Sequence, residues 1–181
     1  MELQKSSSSV PPEYEDLLTS DDNYLAYALA FILDWLLQRE PSVGFQILHQ
    51  LYAYNNTGED IRISTRALSQ RIPDIRVFSQ GKLLMYIEVT SDSELGCHQL
   101  ARYKETLNSY CEDIKSVVLL TGFSFRNDEN VPLGIKRVRW FEIYKLLAHA
   151  STEAQDPLDK YLVQQLMSIL RDKNLAIEKV G

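Results

Sequence analysis

Apolar positions change their period along this chain, and each change marks a different kind of element. From Tyr24 to Leu37 nearly every residue is apolar or Ala. Asp21 or Asp22 can cap the start of this segment and Pro41 lies just past its end, which predicts a helix over residues 21–39. A helix apolar on most sides is buried on most sides, in the core or, secondarily, against a second subunit. Pro41, Ser42 and Gly44 read as a break, and Phe45–Tyr54 fits either a second helix or an extended segment. Asn55-Asn56-Thr57-Gly58 is a turn signal.

Beyond that turn the period shortens to two. Ile61-Arg62-Ile63 reads as a short strand. Asp74-Ile75-Arg76-Val77-Phe78 alternates, with Ile75 and Val77 on one face. Ser79-Gln80-Gly81-Lys82 is a hairpin connection leading into the apolar strand Leu83–Thr90. Ser93 or Asp92 can cap a helix reaching about Tyr110, with Leu95, Leu100, Tyr103 and Leu107 as its apolar face. Ser116–Thr121 holds four consecutive apolar residues, Val117 to Leu120, as a parallel strand covered on both faces does. Residues 122–132 read as a loop, Arg137–Trp140 as an edge strand and Phe141–Ala150 as a helix. Leu158–Asp172 is a final helix with Leu158, Tyr161, Leu162, Leu166, Ile169 and Leu170 at helical spacing. Helix, hairpin, helix and strand in this order give an α/β fold: a mixed central sheet flanked by helices, with a right-handed strand–helix–strand crossover. Residues 1–12, with the Ser6–Ser9 run and Pro11-Pro12, read as a disordered tail, and residues 13–181 as a single domain.

Composition narrows the function classes. The chain has 181 residues, 45% hydrophobic and 24% charged, as an ordinary soluble protein has. No apolar run is long enough to span a membrane, and the N-terminal residues lack the apolar stretch of a secretory signal, so a cytoplasmic protein without a membrane partner is expected. Cys97 and Cys111 lack the spacing of a zinc site and read as free thiols. The net charge of −6 opposes binding to nucleic acid, but the charge is uneven. Residues 1–61 carry ten acids against two bases, while residues 62–139 carry twelve bases against nine acids. The basic excess lies in the segment that holds the candidate chemistry.

That chemistry rests on Ile72-Pro73-Asp74 and Ile87-Glu88-Val89-Thr90. A hairpin turning near Gly81 places Asp74 opposite Glu88, at the ~4.5–5.5 Å separation of directly paired side chains. A carboxylate within the apolar strand Tyr86–Val89 must be exposed at the strand end, paired, or bound to a metal. Two converging carboxylates suit a hard divalent cation such as Mg²⁺. The competing structural reading pairs a buried acid with an arginine such as Arg62 or Arg76, and reads Arg62, Arg66, Arg71 and Arg76 as a solvated face, with contact to phosphate as the lesser alternative.

Pro73-Asp74, the hairpin, Glu88-Val89-Thr90 and then Gln99-Leu100-Ala101-Arg102-Tyr103 on the following helix resemble the PD-(D/E)XK nuclease superfamily, whose fold is restriction-endonuclease-like. The resemblance covers about residues 15–148 and includes the opening helix, Leu17-Leu18-Thr19 with Tyr24–Leu33. It implies a metal-dependent nuclease acting on DNA or RNA. Asp74, Glu88 and the backbone carbonyl of Val89 would hold Mg²⁺ or Mn²⁺, Gln99 would orient water or phosphate, and an activated water would attack a phosphodiester. Two positions depart from the family pattern. Thr90 replaces the lysine two residues after the acid, and a hydroxyl cannot supply its charge. Tyr27 stands about where a first-helix glutamate is often found. Arg102, Lys104 and Lys82 are the candidate substitute cations; Arg102, three residues after Gln99, is the better aligned. His49 is a further candidate ligand, with an ordinary helix-surface role as its alternative, and His98 reads as a loop-proximal histidine. The other function classes left open are a catalytically inactive nuclease-fold module that binds nucleic acid or a protein, and a homodimer built through the first helix.

Overall fold

The computed structural model describes residues 21–51, 60–65, 74–80, 82–90, 101, 104–105, 108–109, 116–122 and 135–177. Their organising feature is a five-stranded mixed sheet in the order β1-β2-β3-β4-β5. The strands are β1 (Ile61–Thr65), β2 (Ile75–Ser79), β3 (Lys82–Thr90), β4 (Ser116–Thr121) and β5 (Lys136–Arg139). β1 to β3 run antiparallel as neighbours; β4 lies parallel to β3, and β5 parallel to β4. All six residues of β4 are buried, as its unbroken apolar run requires of a strand covered on both faces. The β2–β3 hairpin turns in two residues, since Ser79 pairs with Lys82, and Gln80 adopts φ 48. A left-handed residue matches such a tight turn to the twist of its strands. A bulge between Val77 and Phe78 shifts the register, so Leu84 is the extra residue of β3.

Alternation assigns the two faces of the sheet. Ile75, Val77, Met85, Ile87, Val89, Val118, Leu120 and Val138 join the main core beneath the helices. Leu83, Tyr86, Val117 and Leu119 form a smaller cluster on the opposite face, with Phe78 and Ile135 against it. The helices are α1 (Asp21–Arg39), α2 (Pro41–Leu51), α3 (Trp140–Glu153) and α4 (Pro157–Asp172). α1 packs on β1, β2 and β3 and buries Leu25, Leu29, Leu33 and Leu36 completely or nearly so. Its apolar character is that of a core helix, although Tyr24 and Phe31 remain exposed. The segment from 91 to 115 is helical at its described positions, Ala101, Lys104-Glu105 and Asn108-Ser109. The tail expected over residues 1–12 lies outside the described residues.

Two sequence expectations need correction. The break expected around Pro41 to Gly44 is a single residue, Glu40, and α2 begins at Pro41 itself and ends at Leu51. Proline opens a helix well, because the N–H it lacks has no intrahelical acceptor there. Gly44 serves packing rather than a turn: a Cβ there would lie 2.9 Å from Leu37 N and 3.0 Å from Leu37 Cγ. The second correction concerns α4. Leu158 and Tyr161 face solvent, and the inward row is Asp159, Val163, Leu166, Met167 and Leu170.

The rotation of α4 has a polar cause. Asp159 is 0% exposed, and its Oδ1 accepts hydrogen bonds from Trp35 Nε1 at 2.7 Å and Arg39 Nε at 2.8 Å. Arg39 Nη2 also pairs with Asp156 at 2.6 Å, and Asp156 caps α4 by accepting from Leu158 N. Glu40 accepts from the backbone N–H groups of Gln155 and Asp156. The end of α1 thus grips the turn between α3 and α4. Burial alone would raise the Asp159 carboxyl pKa; the hydrogen bonds from Trp35 and Arg39 and the guanidinium charge outweigh it and hold the value below the ordinary one.

Two stability measurements check this packing. Ala in place of Gly usually steadies a helix interior by about 1 kcal/mol. Gly44→Ala should instead destabilise, by about 1–3 kcal/mol, because Leu37 must move, and urea unfolding reads the sign. Asp159→Asn should lower Tm at pH 7. A depressed carboxyl contributes stability above its unfolded pKa and loses it as pH falls through the lower folded value. The Tm gap between Asp159→Asn and wild type should therefore hold from neutral pH to about pH 4 and close below it.

Candidate metal centre

The site is built where the β2–β3 ladder ends. The pairs Ile75↔Ile87, Arg76↔Tyr86 and Val77↔Met85 fix the register. Asp74 lies one residue beyond the last of these pairs and Glu88 one residue beyond its partner on β3. Both are buried, at 7% and 8% exposure. Glu88 follows Tyr86 by two, so it shares the face of the smaller cluster; Ile87 and Val89 point into the main core.

The two acids are tied to the backbone differently. Asp74 Oδ2 accepts the N–H of Val89 at 2.8 Å, taking over where β2 no longer supplies a carbonyl. In an antiparallel ladder a residue presents its N–H and C=O to the same neighbour. The Val89 carbonyl is therefore turned toward the Asp74 edge as well. The Asp74 and Glu88 carboxylates and the Val89 carbonyl are hard oxygen donors of the kind Mg²⁺ and Mn²⁺ prefer, and could together hold such an ion. Burying two carboxylates side by side is unfavourable unless a cation or further donors compensate. Among the described residues no group of three or more His, Cys, Asp or Glu gathers around a common point.

Among the described residues neither Arg62 nor Arg76 pairs with Asp74 or Glu88. Arg62 pairs with Asp60 at 2.9 Å. Arg76 Nη2 donates to Ser64 Oγ at 2.9 Å, and its guanidinium lies 5.6 Å from the centre of the Phe78 ring. Thr90 closes β3 and pairs with Thr121 of β4. Lys82 is at the other end of β3, six residues from Glu88 and hence ~20 Å away, so it cannot replace the missing lysine. Lys104 is half-buried within the helical stretch that follows β3. Gln99, Arg102, Tyr103, His98, Cys97, Cys111, Arg66 and Arg71 lie outside the described residues. His49 is exposed on the last turn of α2, and Tyr27 is half-buried on α1.

Arg76, for which the sequence offers a structural or solvated role first and contact with phosphate second, lies on the site face. Arg76 sits two residues from Asp74 along β2 and opposite Tyr86, which precedes Glu88 by two. Its signal in the sequence is the same alternation that placed Ile75 and Val77 in the core: a cation between them must leave by the other face, where Glu88 is.

Comparison of the chain with protein-family models, with curated proteins and with solved structures gives no match.

Calorimetry with Mn²⁺ tests the donor set. Wild type should bind one ion. Asp74→Ala should weaken binding by about 10-fold or more, beyond what second-sphere changes commonly cost. Lys82→Ala should leave it unchanged.

Proposed function

We propose that this chain is a metal-dependent nuclease with a restriction-endonuclease-like core of the PD-(D/E)XK kind, hydrolysing phosphodiester bonds of DNA or RNA. The observation that carries this reading is the placement of Asp74 and Glu88 side by side at the end of the β2–β3 ladder, both buried, with Asp74 held by the Val89 N–H at 2.8 Å. The strand order supports it at a coarser level: an antiparallel hairpin followed by two parallel strands, with a helical stretch between β3 and β4.

Each part has a separate task. Asp74 and Glu88 bind the cation, and the Val89 N–H fixes the orientation of the Asp74 carboxylate. Mg²⁺ or Mn²⁺ supplies Lewis acidity to a phosphate oxygen and to the attacking water. The apolar residues around β3 and β4 exclude bulk water and strengthen the local electrostatics. Hydrolysis forms one bond from water oxygen to phosphorus and breaks one ester P–O bond, the leaving oxygen gaining a proton.

A second reading is favoured by one residue. Thr90 occupies the place of the lysine, and a nuclease-fold module that binds nucleic acid without cutting it would need no such charge. Among the described residues no helix is long and apolar enough to cross a membrane.

Purified protein incubated with Mg²⁺ or Mn²⁺ and mixed DNA and RNA decides between them. The nuclease reading expects cleavage that EDTA abolishes and that falls about 100-fold or more in Glu88→Ala. Equal cleavage by the variant would remove the acid pair from the chemistry. Binding without cleavage in wild type would establish the second reading.

A further inference from the structure

Arg76 is a half-buried cation whose surroundings do not explain its charge. A guanidinium offers five N–H donors. One of them, on Nη2, reaches Ser64 Oγ at 2.9 Å. Nε is buried with no acceptor. The remaining contact is the face of Phe78 at 5.6 Å. Among the described residues no carboxylate pairs with it, in contrast to Arg39, which pairs with Asp156 and Asp159, and Arg62, which pairs with Asp60. Yet two carboxylates are its neighbours. Asp74 is two residues away along β2, a distance of about 7 Å, and Glu88 is its diagonal neighbour across the hairpin, about 7–8 Å away.

The absence of an ion pair is informative because the partners are so near. Stacking on Phe78 and the bond to Ser64 draw the guanidinium toward β1, away from the ladder end. The same two contacts limit its freedom, so little ordering remains for a ligand to impose. The spare donors of Arg76 lie on the sheet face that also carries the two acids, where the oxygens of an anion would meet both the guanidinium and an ion held by those acids.

We propose that Arg76 binds a backbone phosphate of a nucleic-acid substrate beside the Asp74–Glu88 pair, through its planar fork of N–H donors. The proposal rests on the nuclease-fold reading for the identity of the substrate and concerns binding rather than the cleavage step. Arg76 is accordingly a substrate-positioning group, and a positive charge on β2 performs part of what Thr90 cannot.

The test uses the full chain and short fluorescently labelled DNA and RNA oligonucleotides, single- and double-stranded, followed by anisotropy in EDTA and in Ca²⁺. Arg76→Gln should weaken binding about tenfold or more, and Arg76→Lys should retain part of it. The slope of log affinity against log salt should fall by about one in Arg76→Gln. Far-ultraviolet circular dichroism and Tm confirm that both variants are folded, and Arg62→Gln on the neighbouring strand is the control for general charge loss. Arg76→Gln binding like wild type, with an unchanged salt slope, would overturn the proposal. So would a wild type that binds none of the oligonucleotides. The two readings fail separately: cleavage lost in Glu88→Ala with Arg76→Gln binding normally removes only the role of Arg76. Arg76-dependent binding with cleavage indifferent to Glu88→Ala removes only the nuclease reading.

Discussion

A strand buried on both faces has no inexpensive place for a charge, and β3 carries one. Tyr86, Ile87 and Val89 around Glu88 are all buried, and so are Val118, Leu119 and Leu120 on the adjoining strand. Isolated burial of a carboxylate is among the costliest events in folding. Glu88 lies near the end of β3, beside the Val89 N–H that the Asp74 carboxylate accepts, and a cation or further donors there would offset the buried charge. Everything proposed for the site follows from that crowding of negative charge at a sheet end.

The rest of the fold supports the site by rigidity rather than by contact. α1 lies across β1, β2 and β3 and so holds the hairpin whose register defines the acid pair. Its C-terminal turn is anchored through Trp35, Arg39 and the following Glu40 to the turn between α3 and α4, which restrains the helix over the strands beneath it. Precision of that order is what a two-carboxylate site needs, since small displacements of ligating groups are costly to metal affinity and to rate.

Much of this was legible in the sequence because local pattern and global fold agree. Helix 21–39 came from an apolar run bounded by Asp21 and Pro41, and the buried parallel strand from four consecutive apolar residues. The β2–β3 hairpin and its tight turn were legible from the period-two alternation and the Ser79–Lys82 connection. The rest depends on contacts between distant parts of the chain. Nothing near Asp159 in the sequence announces that Trp35 and Arg39, more than a hundred residues earlier, turn it inward. That pairing is why Leu158 and Tyr161, apolar and well spaced, face solvent. Pro41 was misread because proline both ends and begins helices. Arg76 reads in the sequence as a solvated or acid-pairing arginine with phosphate contact as the lesser alternative, and the register is what puts it on the face of the acids.

The occupant of the acid pair is the central matter. A crystal soaked in Mn²⁺ and measured near the manganese absorption edge gives the most direct answer. The account predicts an anomalous peak between the Asp74 and Glu88 carboxylates, within about 2–2.5 Å of an oxygen of each and of the Val89 carbonyl, and no peak there in Glu88→Ala. A well-ordered pair of carboxylates with no peak between them, or a peak that persists in Glu88→Ala, would contradict it.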